Sequence, residues 1–253
     1  MSCRSRGDDG RRGLLAGHLD QARSLFTEGS TAAAASGNAE TVVGLGSYLA
    51  WLSIDRGEWQ EAAGRLELAL ALIDEHRMHD YVFALSAFIG AARLSLHHGD
   101  LNEAHRQLTR AMRARPAATY LLPYHAVRVR LQLAKVYTAL AEPATARQLL
   151  REIDDILRHR PALGTLTSEV EEFRRALASS AATGAVGQSP LTPAELRLLP
   201  YLQTHLTAAG IAERMSLSTH TVKSRLKSIY RKLGVSSRNE AVQHATAIGL
   251  LGA

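Results

Sequence analysis

Lys223 and Lys227 stand one helical turn apart, with Ser224 beside the first and His220 and Arg231 one turn to either side. At about 100° per residue these five fall on one face of a helix. Val222, Leu226, Ile229 and Leu233 fall together on the opposite face. One side is thus built to pack and the other to meet a polar partner. A lysine ammonium is a donor with no acceptor capacity. Set in a DNA major groove it reaches guanine O6 and N7, and a small residue such as Ser224 lets the backbone come close to the base edges. A merely solvated basic helix is the plain alternative, and the residues flanking this helix weigh against it.

The elements that must hold this face are clearly punctuated. Ser218 is placed to cap the helix, and Gly234 to supply the left-handed residue that ends it. Thr192, Pro193 and Glu195 have the order of a capping box with proline in the first turn. Ser237 and Glu240 repeat the box for a last helix. Charge concentrates in the same quarter. Residues 190–253 carry eight Lys/Arg against three Glu, net +5, whereas residues 1–189 carry 22 basic and 21 acidic side chains, net +1. A polyanion would be drawn to the C-terminal end.

Leu191-Thr192-Pro193-x-Glu195, Ile211-Ala212, Ser218-x-x-Thr221-Val222-Lys223, Ile229, Lys232-Leu233-Gly234-Val235, Arg238-x-Glu240-Ala241 and Gly249-Leu250 form a set at fixed offsets. With them, residues 191–250 resemble the LuxR-type helix-turn-helix family, and so many matches are far more specific than one short motif. The resemblance implies a four-helix domain whose third helix reads double-stranded DNA. Lys223, Ser224 and Lys227 correspond to its base-contacting positions, and Thr221, Arg225, Arg231 and Lys232 to phosphate contacts. It also implies a homodimer on DNA formed through the last helix, about residues 237–248, with half-sites about one helical turn (~10 bp) apart. RNA polymerase would be a further contact. Two positions depart from the family pattern. His205 stands in the turn after the first helix where glycine is usual, and Gly210 replaces the usual acidic partner of Thr207.

Upstream, Gly17-His18-Leu19, Gly57-Glu58-Trp59, Gly99-Asp100-Leu101 and Ala141-Glu142-Pro143 open similar segments 40, 42 and 42 residues apart. Five residues after each opening comes Ala22, Ala62, Ala104 or Ala146, and nine after comes Phe26, Leu66, Leu108 or Leu150. Such self-similarity marks helical hairpins that stack, because one hairpin cannot bury its apolar face alone. The segments resemble tetratricopeptide-type repeats, with a longer period. The first opening reads as the second helix of a pair whose partner is missing. Residues 179–190 are small, uncharged and Gly/Ser-bearing, the composition of a linker.

The expected fold is all-α: a tetratricopeptide-like helical-repeat domain at 1–178, a linker at 179–190, and a helix-turn-helix domain at 191–253. The two domains are expected to be physically separable. The lone Cys3 fits a reducing cytoplasm, and no apolar run reaches the ~18 residues of a membrane span. His76 and His79 lack the further ligands of a metal site. There is no phosphate-binding loop, nucleophile elbow or triad pattern, so no catalytic residue, cofactor or metal is expected. The repeats resemble the sensing region of large ATP-binding relatives, which points to a small-molecule or protein effector there. Tyr48, Trp51, Trp59, Tyr81, Tyr120 and Tyr124 recur near helix starts or inter-repeat turns, where packing between repeats explains them more readily than ligand contact. The reading is a cytoplasmic, nucleoid-associated transcription regulator. The alternative is a helical-repeat interaction scaffold whose basic module binds DNA without specificity.

Overall fold

The four segment openings are the turns inside four helical hairpins. The structure, a computed structural model, describes residues 3–182, 191–248 and 250–251. Helices α1 (Cys3–Leu15) and α2 (Leu19–Ala35), α3 (Ala39–Asp55) and α4 (Trp59–Glu75), α5 (Ala84–His98) and α6 (Leu101–Ala114), and α7 (Pro123–Ala139) and α8 (Pro143–His159) pair in order. Gly17, Gly57, Gly99 and Ala141 all take a positive φ, 78°, 73°, 75° and 58°. In each case the next N–H closes back on the helix just ended, as from Glu58 to Ser53 and from Glu142 to Tyr137, both 2.8 Å. This is a Schellman closure, which needs a left-handed residue. The last hairpin makes it with alanine.

Ala22, Ala62, Ala104 and Ala146 are all fully buried, and Phe26, Leu66, Leu108 and Leu150 pack behind them. The small alanines let paired helices approach closely. Helices α3, α5 and α7 are buried nearly all round, whereas α4, α6 and α8 bury one stripe and expose the rest. The first set is therefore the inner layer and the second the outer. Tyr48 and Trp51 belong to this core, with the Trp51 indole N–H donating to the Ser86 carbonyl at 3.0 Å.

The first hairpin is complete, contrary to the expectation that its partner is missing. Residues 3–15 form α1, packed on α2. Its sequence has no apolar period to read because glycines make the contact. A Cβ on Gly10 would lie 2.4 Å from the Phe26 ring, and one on Gly7 would lie 3.2 Å from Leu45. The aromatic ring sits where a side chain would be.

A ninth helix, α9 (Thr165–Ala182), covers α7. It runs four residues into the stretch whose composition reads as linker. The alanines of that stretch favour helix, and its serines do not forbid it. The rest of the stretch, 183–190, lies outside the described residues. The C-terminal module follows as α10 (Pro193–Leu198), a 3₁₀ turn (Leu199–Gln203), α11 (Ala208–Arg214), α12 (Thr219–Leu233) and α13 (Arg238–Ala247). Pro200, with no N–H to give, stands where the α-helix tightens. Thirteen α-helices and no strand occur among the described residues.

The module is docked on the repeats and not held apart. Helix α10 packs on α5, α13 packs on α9, and the buried apolar residues of the two parts form one continuous cluster. A Cβ on Gly99 would lie 2.5 Å from the Pro193 carbonyl, so the two backbones touch at that turn. Leu250 and Leu251 are buried as well.

Candidate nucleic-acid interface

Helices α11 and α12 meet through a four-residue turn. Ser216 takes a φ of 52°, and the Leu217 N–H closes on the Ala212 carbonyl at 2.9 Å. Ser218 then caps α12, its hydroxyl oxygen accepting from the Thr221 N–H at 3.0 Å. The Thr221 hydroxyl lies 2.7 Å from the same oxygen. Gly234, at φ 67°, ends the helix. Between these stops Val222 and Ile229 are fully buried, Leu233 nearly so, and Leu226 packs at the edge of the cluster.

The opposite face is open. His220, Lys223, Ser224, Lys227 and Arg231 are exposed. Among the described residues no intramolecular ion pair or hydrogen bond engages Lys223, Lys227 or Arg231. Three cationic groups on one helix face are thus available to a polyanion.

Other basic residues of the module have partners of their own. The Lys232 ammonium lies 2.7 Å from Glu195 Oε2, and both side chains are largely buried. Glu195 belongs to the capping box of α10: its carboxylate accepts from the Thr192 N–H at 2.6 Å, and its own N–H donates to the Thr192 hydroxyl oxygen. Burial alone would raise the Glu195 carboxyl. Hydrogen bonds from Lys232, Ser228 and Thr192 outweigh burial and hold it below the ordinary carboxylate range. Arg225 is half-buried and lines a cleft with His97, His98, Arg197 and Tyr201, between the module and the end of α5. Of the four residues that the resemblance assigns to phosphates, Arg231 is exposed, Thr221 meets the cap, Arg225 faces the repeats and Lys232 holds Glu195.

Arg238 has a place the sequence does not announce. Its guanidinium donates to the carbonyls of Tyr201, Leu202, Thr204 and Leu206, at 2.7, 3.0, 2.5 and 2.7 Å. It thereby holds the whole turn between α10 and α11. His205, inside that turn, is not left-handed: the non-glycine residues of positive φ are Arg77, Ala141 and Ser216 among those described. Gly210 leaves the next cap intact, since its N–H still donates to the Thr207 hydroxyl at 3.3 Å. Glu240 departs from the expected reciprocal box. Ser237 caps its N–H, but the Glu240 carboxylate accepts from the N–H and hydroxyl of Ser236.

The arrangement is two short helices joined at a left-handed turn, with an exposed basic face on the second and a packed face behind it. Such a unit inserts its second helix into a major groove. Residues 189–245 match the GerE family model, bacterial regulatory proteins of the luxR family. No solved structure matches the chain.

Proposed function

From a C-terminal module that is a luxR-family helix-turn-helix domain, we propose that this protein is a bacterial sequence-specific transcription regulator, with α12 reading the major groove and the repeats taking an effector. The observation that carries the reading is the free face of α12. Lys223 and Lys227 are exposed and uncommitted on a helix whose other side is anchored by Val222 and Ile229. Lys223, Ser224 and Lys227 read bases in this proposal, and Arg231 and Thr221 hold phosphates. Arg225 joins them once the cleft against α5 opens. Lys232 stays with Glu195 and positions the helix.

The protein pairs on DNA through α13 in this reading, with RNA polymerase contacted from the bound dimer. Asn239, Gln243 and Ala247, four residues apart, form the exposed face of that helix. A dimer detected by sedimentation only in the presence of a two-half-site duplex supports this arrangement.

The test begins with a duplex selected from a random pool by the whole protein. Lys223→Ala and Lys227→Ala are each expected to cost about 1–3 kcal/mol at that duplex. Binding to random DNA should fall much less, and both affinities should drop steeply as salt rises. An unchanged preference for the selected duplex in both variants overturns the assigned reading face. No preference in the parent protein favours the non-specific scaffold instead.

A further inference from the structure

Between the inner helices and the C-terminal module lies a cavity of about 320 Å³, near the lower end of what small-ligand sites occupy. Arg93, Arg128, Lys135, Asp55 and Glu169 line it, and Thr246 and Leu251 of the module close one wall. These charges come from α3, α5, α7 and α9; the two arginines are buried, whereas Asp55, Lys135 and Glu169 are partly exposed. Arg93 is 4% exposed and Arg128 8%. Buried charge of this kind is expensive unless its partners are complete.

The partners are not complete. Arg93 donates to Asp55 at 2.7 Å through one terminal nitrogen, but its Nε and other terminal nitrogen are buried with no acceptor. Arg128 donates through one nitrogen to Glu169 at 2.8 Å and lies 3.9 Å from Asp55, and its buried Nε is unpartnered. Lys135 makes no ion pair or hydrogen bond among the described residues, and burial presses its ammonium below its ordinary value. Arg56, at the same cavity, is taken by Asp20. Three cations thus face two carboxylates, with three guanidinium nitrogens lacking acceptors. The excess positive charge favours an anion, and Gln132 Oε1, buried and unpartnered at the same cavity, would meet a donor on it.

We propose that this cavity binds a small oxyanion-bearing ligand, a carboxylate or phosphate compound, held by Arg93, Arg128 and Lys135 against the wall that Thr246 and Leu251 provide. A carboxylate or phosphate matches a guanidinium fork with paired, charge-assisted hydrogen bonds, which a neutral hydroxyl compound does not. The ligand supplies the negative charge that the two arginines and Lys135 hold in excess of Asp55 and Glu169. Its seat touches both parts of the chain, so its occupancy is felt directly by the end of α13. The inference rests on the reading of the repeats as the effector-binding half.

The test is calorimetric titration of the whole protein with inorganic phosphate, succinate and citrate, against chloride at matched ionic strength and glycerol as a neutral control. At least one of the three anions should bind saturably with one site per chain and raise Tm. Lys135→Gln, which removes an unpaired group, and Arg93→Lys, which keeps the charge but not the fork, should each weaken binding about tenfold to a hundredfold. Circular dichroism should be unchanged in both. No saturable binding beyond the chloride control, or equal affinity in both folded variants, overturns the proposal. DNA binding by the same preparations separates the two readings. A protein that shifts its duplex but binds no anion loses the cavity and keeps the regulator. One that binds the anion and no DNA does the reverse.

Discussion

Lys232 and Lys227 sit five residues apart on α12 and have opposite jobs. Lys227 is exposed and uncommitted, so its removal should leave stability within about 0.5 kcal/mol. Lys232 neutralises a buried carboxylate that also caps α10. Lys232→Ala should therefore destabilise the module by about 3 kcal/mol, and Lys232→Met with Glu195→Gln should recover part of it, because no charge is then left unpaired. Denaturant titration of the three proteins checks this. A second residue sets a pH limit. His125 is buried, accepts from the Tyr48 hydroxyl at Nδ1 across 2.8 Å, and donates from Nε2 to the Val82 carbonyl across 2.9 Å. Burial outweighs the carbonyl contact and lowers its pKa from 6.5 to about 4. The folded state thus resists a proton that the unfolded chain accepts. The His125 contribution is full above about pH 6.5, falls as pH drops, and levels near pH 4, a loss of order 3 kcal/mol. His125→Gln should make that part of the stability-versus-pH curve shallower, the remaining slope belonging to His97, whose pKa burial also lowers to about 4.

Among the elements, α1 has the least readable design. It presents glycine to α2 and α3, and the aromatic ring of Phe26 fills the gap above Gly10. Gly10→Ala gains helix propensity but meets that ring at 2.4 Å. Overpacking should win, with a loss of about 1–3 kcal/mol. Phe26→Leu in the Gly10→Ala background should be more stable than Gly10→Ala alone, since the smaller side chain makes room for the methyl group. Thermal unfolding of the two variants decides the matter. Equal or higher stability for Gly10→Ala by itself would mean that α1 is not seated on Phe26.

At the scale of the whole molecule, the module and repeats share one apolar cluster. Gly99 against Pro193 and the burial of Leu250 and Leu251 tie both ends of the module to the stack. The Thr192–Glu195 capping box, the N-caps of Thr207, Ser218 and Ser237, and a small core of its own should still let a fragment 188–253 form helix, but without the support of α5 and α9. Its Tm should lie below that of the whole chain, and hydrogen exchange of the α10 and α13 amides should be faster in the fragment. Identical exchange in both would mean that docking contributes nothing to the module's stability.

The all-α class, the four hairpin turns and the two faces of α12 can be read from local sequence alone. These rest on local rules: a left-handed residue closes a Schellman turn, a capping box starts a helix, and a 3.6-residue period sorts buried from exposed. Local rules also named Lys223 and Lys227, which the structure leaves free. They did not show that Lys232 serves Glu195, that Arg238 holds the turn around His205, or that α1 completes the first hairpin. Each of those depends on residues at least sixteen positions away, and a charge or a glycine carries no mark of its distant partner. The docked module and the arginine-lined cavity were equally hidden. No local pattern marks Arg93 and Arg128 as buried charges, and only the packing of α3, α5, α7 and α9 gathers them around one cavity.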